Sequence, residues 1–114
     1  MSLYYEETGK LLRCLKEGVS AYHSVRQAAG QLEEAGFCRL WNEGNWKIEK
    51  GKSYYTEIFG TSLFAFHVPE TYEASMPIHV AAAHTDWPGL RIKSLPELTE
   101  ARYEKLNIEI YGGP

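Results

Sequence analysis

Ile78-His79-Val80-Ala81-Ala82-Ala83-His84-Thr85-Asp86-Trp87-Pro88-Gly89 changes character halfway along. The first half is a short apolar run bounded by turn signals, the pattern of a buried parallel strand. Ile78 and Val80 would share a face, and the three alanines would let helices pack close on either side. The second half is polar. His84 and Asp86 stand two residues apart, so on extended backbone their side chains leave from one face. Pro88 favours an extended Trp87, and Gly89 permits a sharp turn after it. Ligands of open α/β sheets bind beyond the carboxyl ends of the strands. A histidine aimed from such an end can give one ring nitrogen to a metal, while a carboxylate two residues on accepts the other ring N–H and fixes the tautomer. His84 is the candidate metal ligand and Asp86 its catalytic partner, the orienting acid.

The bulk numbers narrow the setting. A chain of 114 residues is sized for one small domain. Its 44% hydrophobic and 24% charged residues are ordinary for a soluble globular protein. Twelve basic and fifteen acidic residues leave a net charge of −3, which offers no general attraction to nucleic acid or an anionic membrane. No apolar run approaches the roughly 20 residues that span a bilayer, and the acidic start Met1–Glu7 lacks a signal-peptide core. Cys14 and Cys38 stand at no metal-binding spacing and read as reduced thiols of a cytoplasmic protein.

Periodicity predicts a helix over 3–17, with Leu11, Leu12 and Leu15 as its apolar stripe and Gly18 as its stop. Ser20 is a candidate N-cap for a second helix running to about Ala35, lined inside by Val19, Tyr22, Val25, Ala29 and Leu32. Gly36 ends it, and Phe37 could pack back on its last turn. Phe37–Trp41 could be an edge strand, and Trp46 and Ile48 alternate with Lys47 and Glu49. Ser53–Ile58 and Ser62–Val68 read as aromatic-rich strands joined tightly through Phe59-Gly60-Thr61, an antiparallel hairpin. Residues 78–83 are the expected buried strand. Leu90–Lys93 and Leu106–Tyr111 alternate as strands, with the charge-rich tract 95–105 between them as an exposed loop. His67 and His79 read as structural or exposed. Five residues separate His79 from His84, which on a strand sends them to opposite faces and argues against a shared metal. Arg91 and Lys93 read as the solvent side of a strand, with recognition of a substrate carboxylate as the alternative.

Residues 82–93, from Ala82-Ala83-His84-Thr85-Asp86 to Ile92-Lys93, resemble the first metal-ligand segment of the M18 metalloaminopeptidases, which runs Gly-Ala-His-Thr-Asp-Ser-Pro in many members. Tyr22-His23-Ser24-Val25 is similar to a Phe-His-Ala-Val-like segment of that family. Ala35-Gly36-Phe37, Tyr54-Tyr55-Thr56, Ser62-Leu63-Phe64-Ala65-Phe66 and Tyr111-Gly112-Gly113 continue the likeness in order, so it covers nearly the whole chain. Trp87 departs from it, standing where many relatives carry a small residue such as serine.

The resemblance implies an α/β protein, α+β within these residues: two N-terminal helices followed by a mixed sheet, the incomplete first part of a zinc-peptidase α/β/α sandwich. Residues 1–93 would belong to the catalytic domain, and 94–114 would begin the crossing to a lid or dimerisation domain. It implies an aminopeptidase acting on peptides through two divalent metal ions, zinc foremost, and a homo-oligomer. The family's bridging Asp, further acidic ligands, second His and catalytic Glu pair lie downstream of the His-Thr-Asp segment. The 114 residues are therefore expected to be an N-terminal portion, inactive alone and unable to hold the metals. His23 would lie near the cleft by resemblance, or simply pack at a helix start. Two other readings compete. One is a stand-alone α+β binding module in which His84 and Asp86 merely hydrogen-bond. The other is a nucleic-acid binder using Trp41, Trp46 and the lysines of 47–52, opposed by Glu43, Glu49 and Glu57 among them.

Overall fold

A computed structural model describes residues 3–112. The Gly113 of the Tyr-Gly-Gly resemblance, Pro114, and the Met1-Ser2 start lie outside the described residues. Helix α1 (Leu3–Glu17) and helix α2 (Ala21–Glu34) form where the periodicity places them. Ser20 is the N-cap of α2, in extended backbone, but its hydroxyl meets His23 Nδ1 at 2.8 Å rather than a helix N–H. At the other end Gly36 adopts φ 84°, and Phe37 N–H bonds Leu32 C=O at 2.9 Å while Gly36 N–H bonds Glu33 C=O at 2.9 Å. That is a Schellman stop, and only a residue without a Cβ takes its left-handed position freely.

The sheet is mixed. Strand β1 (Cys38–Arg39) runs parallel to β2 (Ser53–Ile58), which pairs antiparallel with β3 (Ser62–His67). Phe59 and Gly60 make the β2–β3 connection at φ 54° and 68°. The centre of this unit is β2, covered on both faces. Tyr55 points to α2 and is fully buried, its hydroxyl donating to Glu33 of that helix. Tyr54 and Thr56 point the other way, under the 40–52 loop. There Tyr54 Oη accepts from Glu49 N–H at 2.9 Å, and Thr56 donates to Asn42 Oδ1 at 2.9 Å. Burying three hydroxyls costs little because each has a partner. Val25 and Ala29 of α2 complete the small core.

Several expectations fail, each for a physical reason. Val19 and Tyr22 are exposed, so the inner face of α2 is narrower than its apolar residues suggest. Leu11, Leu12 and Leu15 remain open because α1 meets α2 through polar pairs, Gln31 with Cys14 and Gln27 with Glu17. Trp46 and Ile48 lie in no strand: both edges of β2 are already taken, and the Trp46 indole N–H instead bonds Trp41 C=O at 2.8 Å. The edge strand expected at 37–41 shrinks to two residues.

The largest differences lie beyond Pro77. Residues 78–83 form no strand among the described residues, and Ile78 and Val80 are each 80% exposed. The charged tract 95–105 is not a loop. Strand β4 (Gly89–Glu100) and strand β5 (Tyr103–Tyr111) are one long antiparallel ribbon, turned at Ala101-Arg102 with φ 50° and 68°. Positive φ at both turn residues matches the right-handed twist of a two-residue hairpin. A ribbon open on both sides imposes no apolar alternation near its tip, so charges such as the Lys105–Glu100 pair are tolerated there. A bulge lies between Ile92 and Glu97, with Leu95 at φ 56°.

The radius of gyration is 20.0 Å, against about 13 Å for a compact chain of this length. The accessible surface is 10101 Å², against about 6,300 Å² for a folded monomer of this mass. Much of the excess is apolar. Leu90 faces Ile110 and Ile92 faces Ile108 across the ribbon, and all four are exposed. No helix among the described residues is long and apolar enough to cross a membrane.

Candidate metal-ligand site

His84 and Asp86 stand on the connection between Pro77 and β4. The ring of His84 is 78% exposed and the Asp86 side chain is half exposed. Nδ1 of His84 lies 2.9 Å from the Asp86 backbone carbonyl and 3.3 Å from Asp86 Oδ1. The expected carboxylate partner is thus in reach, but the main-chain oxygen of the same residue is the nearer acceptor. A ring N–H at Nδ1 satisfies both and leaves Nε2 with its lone pair free. Among the described residues no hydrogen bond engages Nε2, so the geometry suits one ligand of an ion such as zinc.

The rest of the carboxylate is occupied. Tyr111 donates its hydroxyl to Asp86 Oδ2 at 2.6 Å. That bond, followed by the backbone N–H of Asp86 itself and then the nearby His84, holds the acid below the usual carboxylate range. The same bond raises the Tyr111 phenol. Arg91 stacks on the Tyr111 ring, its guanidinium carbon 3.3 Å from the centroid. Arg91 is thus engaged within the ribbon.

The neighbours of the acid–imidazole pair are also fixed. Thr85, facing away from His84, donates to Thr61 C=O at 2.7 Å, just past the β2–β3 turn. The Trp87 indole N–H donates to Ser24 Oγ at 2.9 Å, on the second turn of α2. No sequence pattern indicated these contacts, which join residues 24 and 63 positions apart. Their signal lies in side-chain chemistry: three successive residues after the histidine each carry a donor or acceptor.

The other histidines stand apart from this pair. His23 is held by Ser20 at the start of α2, His67 shares a 2.9 Å contact with Ser53, and His79 is exposed. A cleft of about 380 Å³ lies against α2, lined by Arg26, Glu33, Arg39 and Glu57 among others, without His84. Within it Arg39 pairs with Glu57 at 3.3 Å, and Glu33 accepts from Tyr55. Among the described residues no three His, Cys, Asp or Glu side chains converge to enclose an ion. The residues present fit one ligand and its orienting partner, not a closed coordination shell. Cys14 and Cys38 are free thiols.

Comparison with known proteins gives this geometry a context. The profile of the family described as aminopeptidase I zinc metalloprotease (M18) matches residues 14–114. A probable M18 family aminopeptidase 2 of Streptomyces coelicolor is 36% identical over 107 residues, covering 94% of this chain and 24% of the relative. A probable aspartyl aminopeptidase of Ricinus communis is 28% identical over 103 residues, 90% of this chain and 21% of the relative. A chain in the cryo-EM structure of the Ape4 and Nbr1 complex superposes with a TM-score of 0.76 at 31% identity, covering 90% of this chain and 20% of that one. The chain spans about a quarter of the length of the curated relatives it matches. With the profile matched over residues 14–114, two helices leading into a mixed sheet, and the His-Thr-Asp tip among the matched residues, this chain belongs to the M18 family of zinc metalloproteases.

Proposed function

We propose that these residues supply the first metal ligand, His84, and its orienting residue, Asp86, to a two-metal zinc aminopeptidase acting at the N-terminus of peptides. One observation carries the reading: the His84 ring is exposed on the connection before β4 with Nδ1 turned to Asp86, so the lone pair of Nε2 is left free for a metal. Zinc bound there would supply Lewis-acid polarisation of the scissile carbonyl and of the attacking water. The part of this chain is narrower. His84 offers one nitrogen in a single tautomer, Asp86 keeps that tautomer, and Tyr111 keeps Asp86 ionised and in place.

A chimera tests this. Residues 14–114 replace the matching quarter of the Streptomyces coelicolor relative, and zinc content and release of N-terminal residues are measured. The chimera turns over, and its His84→Ala variant loses zinc and drops at least about 10²-fold in rate, the scale of a disturbed metal shell. A His84→Ala chimera with full zinc and full rate overturns the assignment.

The same reading makes the 114-residue chain inactive alone, because one imidazole and one acid cannot enclose even a single tetrahedral ion. Turnover by the pure chain would refute that. The exposed apolar face of the β4–β5 ribbon supports self-association, and we place the protein in the cytoplasm as a homo-oligomer. Sedimentation at rising concentration checks it: a species larger than 13.0 kDa is expected, and a persistent monomer counts against it.

A further inference from the structure

The connection that carries His84 is unusual in how it is held. Among the described residues, 77–88 make no backbone–backbone hydrogen bond and belong to no strand. Residues 77–84 are all exposed. An exposed tract without ladder bonds opens at little cost. Yet a metal ligand must be held within about half an ångström of its working position. What ties the tract down is confined to its last residues, and it goes to three separate elements. Thr85 binds the end of the β2–β3 turn, Asp86 binds Tyr111 of β5, and Trp87 binds Ser24 of α2.

We propose that Trp87 with Ser24, and Thr85 with Thr61, form a clamp that positions His84 and Asp86. This rests on the reading of His84 as a metal ligand. The two bonds act on opposite sides of Asp86, so together they fix the backbone carbonyl that accepts the His84 ring N–H. Trp87 and Thr85 are positioning residues: neither touches the ring, and both act through the main chain between them. Gly18 completes the arrangement. A Cβ there would stand 3.4 Å from both Trp87 Nε1 and Ser24 Oγ, so the backbone of residue 18 packs directly beside this bond. In the fold Trp87 and Ser24, 63 positions apart, are partners at 2.9 Å. The indole is a donor only, and the serine hydroxyl supplies its acceptor.

The imidazole reports the clamp directly, without any metal. The chain is labelled with ¹⁵N-histidine, and long-range proton–nitrogen spectra are recorded about two pH units above the ordinary histidine value of about 6.5. The neutral ring then shows its tautomer by nitrogen shift, and His84→Gln identifies its signals. The expected wild-type ring carries its proton on Nδ1. Trp87→Phe keeps an aromatic but removes the N–H, and Ser24→Ala removes the acceptor. Each lowers the Nδ1–H to Nε2–H ratio about threefold, the factor that a hydrogen bond of ordinary net strength carries. The double variant falls no further than either single one, because both remove the same bond. Thr85→Val lowers the ratio too, and Thr85→Ser restores it. A general loosening of the fold would give none of this pairwise pattern. Variants that leave a wild-type Nδ1 preference intact, or a double variant that multiplies the two single effects, overturn the clamp while sparing His84 as a ligand. A wild-type ring with no Nδ1 preference overturns both the oriented-ligand reading and the clamp built on it.

Discussion

Replacing Tyr55 with phenylalanine isolates the bond that docks α2 on the sheet. The Tyr55 side chain is fully buried, and its hydroxyl donates to Glu33. Phenylalanine keeps the ring and its packing, so no cavity opens. Only the charge-assisted bond is lost, and such bonds contribute about 1.5–3 kcal/mol. Glu33 lies on an exposed helical turn and rehydrates when released, which places the loss at the low end, about 1.5 kcal/mol. For a chain of this size that is a fall of about 6 °C in Tm. Glu33→Gln leaves a neutral acceptor and should cost less. Alkaline pH gives a second reading. Burial first, then the Glu33 bond and charge, raise the Tyr55 hydroxyl above its ordinary value of 10.0. The folded protein then holds that proton more tightly than the unfolded chain. The stability it contributes is complete below about pH 10 and is lost as pH climbs through the raised folded value. Urea midpoints measured from pH 8 to 11 should therefore fall more steeply for the wild type than for Tyr55→Phe. A Tyr55→Phe variant with wild-type midpoint and wild-type alkaline slope would refute the reasoning.

Gly18→Ala should destabilise by about 1–2 kcal/mol in thermal melts, since its Cβ would lie 2.9 Å from the Cys14 carbonyl oxygen, a backbone atom that cannot step aside. Phe59→Asn should stabilise by about 0.5–1 kcal/mol, because Phe59 is 91% exposed at φ 54° and asparagine takes that conformation more readily; an unchanged or lower melting point would show that the aromatic is needed there. Stripping metal from the 114-residue chain with a chelator should leave its melting curve unmoved, because no three ligands converge among the described residues.

Local signals were legible and non-local ones were not. The Ser20 cap, the Gly36 stop and the tight Phe59-Gly60 hairpin each depend on neighbours within a few residues, and each is found where the sequence puts it. The apolar run 78–83 announces a need for burial, but burial depends on a partner that a run cannot name, and residues 3–112 do not provide one. The 95–105 tract misleads in the opposite sense. Charge usually marks a loop, yet strand pairing needs only backbone groups, and Glu100 and Tyr103 pair across two left-handed residues that are neither glycine nor asparagine. At the site, the two-residue spacing of His84 and Asp86 was enough to place them together. Thr61, Tyr111 and Ser24, which hold their surroundings, sit on three different elements, and only folding brings them there.

The β4–β5 ribbon is two-sided in character. Leu90, Ile92, Ile108 and Ile110 make one side oily, while Arg91, Glu109 and Tyr111 make the other wettable. Tyr111 belongs to the wettable side and also grips Asp86. One strand, β5, therefore bears half of the oily stripe along its length and, at its last residue, the phenol that holds the orienting acid.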